Sequence, residues 1–311
     1  MSITDIIPDI HGQAEKLRLA LQNLGWRRNG TTWRHPEPDR QIVFLGDFID
    51  RGPENGAVIR MVRELMDAGR ARAVMGNHEL NALHFHTTDP EIGQPLRAHK
   101  TKNLEQHASF LEEYPLGAPE TTAVLDWMRG LPLLIEDDAF RAVHAAWVQS
   151  DVERLRKHSP TGILNEEQLI RAARKGDEIY SIVETLAKGP EQGLPEGYEF
   201  TDKGGHVRRN IRVKWWDIEA KSWRDVAMSV PNLEDLPDQS LPGSFATYGY
   251  LPKEKPVFFG HYWMSGQPVL QTENALCLDY SAGKDGPLVT YEMVAGDEKL
   301  DASRIMVHGE R

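Results

Sequence analysis

The stretch Gln41-Ile42-Val43-Phe44-Leu45-Gly46-Asp47-Phe48-Ile49-Asp50-Arg51-Gly52 decides how this chain is read. An apolar run of strand composition stops at a glycine and opens into two aspartates and an arginine, the pattern of a strand that ends in a polar loop. The same grammar recurs on either side. Upstream, Ile3–Ile7 runs into Pro8-Asp9-Ile10-His11-Gly12. Downstream, Arg72-Ala73-Val74-Met75 runs into Gly76-Asn77-His78-Glu79. Between these runs, Leu17, Ala20, Leu21 and Leu24 fall at helical spacing, as do Val58, Met61, Val62, Leu65 and Met66. Strand, helix, strand, helix, strand with short connections predicts an α/β fold on a mostly parallel sheet.

Further along, residues 80–130 read as largely helical. Leu131–Ile135 and Ala139–His144 read as a hairpin across Asp137-Asp138. Residues 150–255 are polar, with Gly and Pro gathered around 189–205 and Trp215, Trp216 and Trp223 close together. This stretch is expected to be an insertion or cap within a single domain spanning 1–311. Strand signals return at Val257–Gly260, Val269–Thr272, Ala275–Asp279 and Leu288–Met293, and their close spacing predicts an antiparallel finish.

Composition narrows the function classes. Lys and Arg total 36 against 47 Asp and Glu, a net charge of −11, which argues against the broad basic face that stable nucleic-acid binding needs. An anionic substrate stays open, because bound cations reverse a local field. One cysteine, Cys277, leaves no internal disulfide framework and fits a reducing compartment. No apolar stretch reaches membrane-spanning length, and the N-terminus lacks a secretory pattern, so a cytoplasmic location is expected. The first turn lacks the Gly-x-Gly-x-x-Gly of dinucleotide-binding oxidoreductases, and no P-loop motif occurs.

Ligands in α/β folds gather beyond the carboxyl ends of the strands. Five such ends carry polar clusters here: Asp9 with His11, Asp47 with Asp50 and Arg51, Asn77 with His78, then His144 after Val143 and His261 after Gly260. Any one of them alone reads as a turn or a helix cap. Five in order, with oxygen and imidazole donors and no thiolate, point instead to manganese, iron or zinc at a catalytic site.

These motifs, Asp9-x-His11-Gly12, Gly46-Asp47-x-x-Asp50-Arg51-Gly52, Gly76-Asn77-His78-Glu79, Val143-His144 and Gly260-His261, resemble those of calcineurin-like metallophosphoesterases of the serine/threonine phosphoprotein-phosphatase type, bacterial branch. The resemblance is close over 1–85 and looser over 131–144 and 256–293. It implies a four-layer β-sandwich flanked by helices and two divalent ions, manganese foremost. Asp9 and His11 would bind the first ion, Asp47 would bridge both, and Asn77, His144 and His261 would complete the second. Two ions about 3.5–4 Å apart can hold a bridging hydroxide at neutral pH.

The resemblance further implies His78 as general acid, oriented by Asp50, and Arg51 as a bidentate phosphate clamp. A second clamp is expected between the last two histidine ligands, with Arg209 and Arg224 the leading candidates beside Arg208 and Lys214. Glu79 is expected to support a helix N-terminus. For substrates, the resemblance implies phosphoproteins first. Dinucleoside polyphosphates of the diadenosine tetraphosphate type stand as the alternative, and small phosphoesters follow. A non-catalytic binding module on the same fold is the remote third reading, disfavoured because no ligand of the motif set is missing.

Overall fold

In the computed structural model, which describes residues 2–30, 32–202, 205–243 and 248–309, the opening apolar run becomes the middle strand of a five-stranded sheet. The first half of the chain gives β1 (Ile3–Ile7), α1 (Ala14–Asn23), β2 (Gln41–Phe44), α2 (Asn55–Asp67), β3 (Ala71–Ala73) and α3 (Asn77–His86). Then come α4 (Thr101–Glu113), α5 (Pro119–Arg129), β4 (Leu134–Glu136) and β5 (Arg141–Val143). Next are α6 (Gln149–His158), α7 (Glu166–Ala172) and α8 (Glu178–Lys188). The last four sheet strands are β6 (Val257–Phe259), β7 (Ala275–Cys277), β8 (Leu288–Val294) and β9 (Ile305–His308).

One sheet has the order β9-β8-β1-β2-β3 and the other β7-β6-β5-β4. Strand alternation explains why four layers form. Ile6 and Val43 point inward to meet Ala142, Phe258 and Leu276 of the second sheet in one apolar cluster. Their neighbours Ile7, Ile42 and Phe44 point the other way, into a core shared with Leu17, Leu21, Val58 and Leu65 of α1 and α2. In the second sheet Val143, Val257 and Phe259 likewise turn outward, towards Ile182, Val183 and Leu186 of α8. Both faces of both sheets are thus covered, as the near-continuous apolar runs require.

β1, β2 and β3 pair in parallel, as the alternating strand and helix signals imply. The finish differs from expectation. β6 pairs in parallel with both β5 and β7, and only β8 and β9 are antiparallel. Val269–Thr272 forms no strand beyond a single bridge from Thr272 to Ala275. The close spacing of signals at 257 and 275 imitates a hairpin, but the irregular connection 260–274 carries the chain back across to a parallel partner. No described helix is long and apolar enough to cross a membrane.

The region between β5 and β6 has two characters. Its first third is helical: α8 buries Ile179, Ile182, Val183 and Leu186 on one face. Beyond it, Glu191–Gly193, Asn210–Val213 and Ala227–Met228 make a small antiparallel sheet. Trp215 and Trp216 pack on Phe259 with ring centres 4.9 and 5.0 Å away, and the Trp215 Nε1–H donates to the Ala145 carbonyl at 3.1 Å. Those two tryptophans fasten the region to the second sheet, while Trp223 sits in a separate small core with Ile211 and Val213.

Candidate metal centre

Loops from the ends of β1, β2, β3, β5 and β6 converge at one place, where two sheets and α3 meet. The chain needs unusual backbone to do this. His11, Asp47, Asp50, Arg51 and His261 all hold positive φ, between 50° and 72°. Non-glycine residues seldom adopt that conformation, and clusters of it mark sites where the surroundings over-determine the backbone. Two glycines make the close approach possible. A Cβ on Gly76 would lie 2.3 Å from Asp47 Oδ1, and one on Gly260 would lie 1.8 Å from Asp9 Oδ1.

Buried Glu79 braces this convergence. Its carboxylate accepts backbone N–H groups from Asp47 (2.8 Å), Phe48 (2.8 Å) and Gly76 (3.0 Å), so it ties two strand-end loops together. This differs from the expected electrostatic support of a helix end alone. Burial and the facing Asp47 push the Glu79 carboxyl up to about 7, against the pull of those N–H groups. Asp279, just past β7, acts in the same manner, accepting from Trp263 N–H at 2.8 Å and Ser281 N–H at 2.9 Å.

Asp47 stands at the centre. Its Oδ2 lies 3.5 Å from His11 Nε2 and 3.4 Å from His144 Nε2, and its Oδ1 accepts the His78 backbone N–H at 2.9 Å. Asn77 Oδ1 lies 3.1 Å from His144 Nε2 and 2.7 Å from His261 Nδ1. These gaps are close to the separation of about 3 Å between neighbouring ligands around one ion bound at about 2.1 Å. Two three-residue groups have the spacing to hold an ion: His11, Asp47 and His78, and Asp47, His144 and His261. Asp47 belongs to both.

The fit to two cations is tested by what is left over. Asp9 Oδ1, His11 Nε2 and His261 Nε2 are buried with no hydrogen-bond partner. Orphaned buried polar atoms are costly and call for an explanation, and a cation facing Asp9 Oδ1 and His11 Nε2 would supply one for those two. The electrostatics agree. Burial, together with Asp279, pushes the Asp9 carboxyl well up. Burial opposes ionisation of Asp47 as well, yet the facing His144 and His78 hold it well below the usual carboxylate range. The other ring nitrogens are already oriented: His11 Nδ1 donates to the Ile49 carbonyl at 3.0 Å and His144 Nδ1 to the Leu45 carbonyl at 2.7 Å. Both are thereby left with Nε2 facing the centre, the arrangement that outer hydrogen bonds impose on metal-binding histidines.

His78 Nδ1 pairs with Asp50 Oδ2 at 2.5 Å, so its Nε2 remains for a second partner. Burial would raise the Asp50 carboxyl, but hydrogen bonds from His107 and His78 outweigh it and bring it down to about 2. Arg51 lies over the Trp263 ring, 4.2 Å from its centre. A cavity of about 230 Å³ opens on this cluster, lined by Arg51, Arg97, Lys188 and Arg212 as well as by Asp47, Asn77, His78 and His261.

The structure does not bring the two leading candidates for a second clamp to this cavity. Arg209 is exposed and paired with Glu199 at 3.3 Å, and Arg224 donates to the Leu236 carbonyl at 3.4 Å. Arg212 lines the cavity instead. In the strand Asn210–Val213, Ile211 and Val213 turn into the small core, which leaves half-buried Arg212 facing the cleft. Its charge acts directly on the buried His261 ring. The period-2 pattern of this strand was the available signal. Of the other histidines, His84 is buried and bonded to the Leu169 carbonyl at 3.0 Å, away from the cavity.

Residues 4–183 match the family model for calcineurin-like phosphoesterase. The chain belongs to that family. A calcineurin-like phosphoesterase is a metal-dependent hydrolase of phosphoesters, and the family's centre holds two divalent ions. The symmetrical bis(5'-nucleosyl)-tetraphosphatase of Vibrio cholerae is 26% identical over 272 residues, covering 83% of each chain. Its namesake from Ralstonia nicotianae is 34% identical over 118 residues, only 37% of each chain. Among solved structures, the cold-active protein-tyrosine phosphatase of a psychrophilic Shewanella superposes with a TM-score of 0.53 at 17% identity, over 94% of this chain and 75% of that one. At that identity the likeness concerns the fold alone.

Proposed function

We propose that this chain hydrolyses dinucleoside polyphosphates of the diadenosine tetraphosphate type, using two divalent ions, with manganese the leading candidate. The observation that carries the reading is the lining of the cleft. In a chain of net charge −11, Arg51, Arg97, Lys188 and Arg212 surround the ligand cluster. One phosphate needs a clamp of one or two guanidinium groups. Four cations suit a chain of phosphates. Relatives that align along most of this chain, the Vibrio cholerae protein among them, carry the tetraphosphatase name, which favours the dinucleotide over the phosphoprotein. The cavity of about 230 Å³ has room for phosphates, with the nucleosides outside it.

Asp9, His11 and Asp47 would hold one ion, and Asp47, Asn77, His144 and His261 the other. When bound, such a pair lowers the pKa of water towards about 7 and offsets charge on the phosphoryl oxygens. Arg51 and Arg212 then fix the phosphoryl group under attack, and Arg97 and Lys188 hold its neighbours. As the P–O bond to the departing group breaks, His78 delivers a proton from Nε2 to that oxygen, while Asp50 keeps the ring in place through Nδ1.

With manganese supplied, kcat/KM for diadenosine tetraphosphate is expected to exceed that for a phosphoserine peptide by at least about 100-fold, because a site built around several phosphates leaves its charges unpaired with only one. Equal or reversed preference in a side-by-side assay overturns the dinucleotide reading. Arg212→Gln is expected to raise KM for the tetraphosphate by about 10–100-fold, the worth of a charge-assisted hydrogen bond. Arg209→Gln and Arg224→Gln should leave the kinetics as they are. A steady-state series on the three variants checks this, and a larger effect at Arg209 or Arg224 would reassign the clamp.

A further inference from the structure

We propose that His107 is a positioning residue for the proton donor, holding Asp50 by the oxygen that His78 does not use. The inference rests on the reading of His78 as general acid and extends it to a residue outside every motif at the strand ends. Asp50 Oδ2 takes the His78 Nδ1–H at 2.5 Å, and Asp50 Oδ1 takes the His107 Nδ1–H at 2.8 Å. The Asp50 backbone N–H donates to Asn55 Oδ1 at 2.7 Å. A carboxylate held by one oxygen can swing about its Cβ–Cγ bond. Held by both, it cannot, and neither can the ring that depends on it.

His107 is itself fixed. It is 5% exposed, and its ring stacks on Phe110 one turn away, with centres 4.7 Å apart and planes 18° apart. Phe85 of α3 meets it edge-on at 5.1 Å. Its Nε2 lies 3.3 Å from His86 Nε2. With Nδ1–H given to Asp50, Nε2 of His107 is left to accept the His86 Nε2–H, an arrangement in which both contacts of the ring are satisfied. Helix α4 also grips the loop after Asp50. Glu113 accepts the N–H groups of Asn55 (2.5 Å) and Gly56 (2.9 Å), and Asn55 Nδ2 donates to the Ser109 carbonyl at 3.0 Å. This grip matters because Asp50 and Arg51 sit at positive φ, with no backbone preference of their own to keep them there. One helix therefore sets both the loop and the carboxylate.

The test uses metal-loaded enzyme and two phosphomonoesters, a nitrophenyl ester with a good leaving group and an alkyl ester with a poor one. His107→Phe keeps the stacked ring and removes the donor. Its kcat on the alkyl ester is expected to fall about 10–100-fold, the usual cost of losing an outer-shell partner, with KM, metal content and nitrophenyl turnover little changed. His107→Asn places an amide N–H near the former Nδ1 and is expected to recover most of that rate. Wild-type turnover in His107→Phe, an equal loss on both esters, or His107→Asn no better than His107→Phe would each overturn the proposal. A readout that needs no variant to fold is the ¹⁵N-edited spectrum of the magnesium-loaded wild type. It should show a hydrogen-bonded His107 Nδ1–H proton, and its absence counts against the pairing. His78→Asn run in parallel keeps the two readings apart. If that variant shows no dependence on leaving group, the role of His78 fails; if it does while His107→Phe behaves as wild type, only the role of His107 fails.

Discussion

Asp47→Asn is expected to lose bound metal and turnover together, with activity down at least about 1,000-fold, the several kcal/mol that a metal pair supplies to phosphoryl transfer. The substitution is nearly isosteric and can keep the hydrogen bond from the His78 backbone N–H to Oδ1. What changes is Oδ2, the atom 3.5 Å from His11 Nε2 and 3.4 Å from His144 Nε2. An amide NH₂ there has no lone pair for an ion and no charge to offset the repulsion between two. Metal analysis of the purified variant is the first check. A second is thermal: added manganese should stabilise the wild type by mass action and the variant far less. Two ions retained with full turnover would remove Asp47 from the bridging position.

His78→Asn is expected to have the second-largest effect, but a selective one. Both ions should stay, because Asp9, His11, Asp47, Asn77, His144 and His261 are untouched. Turnover of alkyl phosphates should fall by about 10²–10⁴-fold, the worth of a positioned acid. Diadenosine tetraphosphate should suffer less, since a departing phosphate is a weak base and needs little help from a proton. The variant also decides between two uses of the ring. His78 lies close enough to His11 and Asp47 to share an ion with them. Loss of a metal with uniform slowing across leaving groups would make it a ligand instead of the acid.

The first three strands and the two helices between them were readable because each apolar run is short, uninterrupted and stopped by a glycine or proline beside a polar cluster. The convergence of five distant loops was readable only through their joint pattern; each cluster alone is an ordinary turn. Where the reading failed, physics supplies the cause. Strand pairing direction is a property of the connection, and the irregular stretch 260–274 has no helical period to announce a crossover. Helices α6 to α8 were hidden by averaging: the Gly and Pro content belongs to 189–205, while Ile179, Ile182, Val183 and Leu186 kept a clear helical spacing. Arg212 could not be chosen over Arg209 or Arg224 until the strand Asn210–Val213 fixed which side chains turn inward. His107 carried no signal at all. It is one histidine in a polar helix, and its use depends on which oxygen of Asp50 is left free.

The ligand cluster draws on residues from Asp9 near the start of the chain to His261, four-fifths of the way along it, and on both sheets. A ribosome making this protein therefore cannot release a complete cluster early: Asp47 and His11 emerge long before the strand Val257–Phe259. Cation capture at the second position should lag synthesis until that strand docks between its two parallel neighbours. Uptake of a second ion would thus serve as a timestamp for completion of the sandwich, and a nascent chain stalled before that point would hold back hydrolase activity.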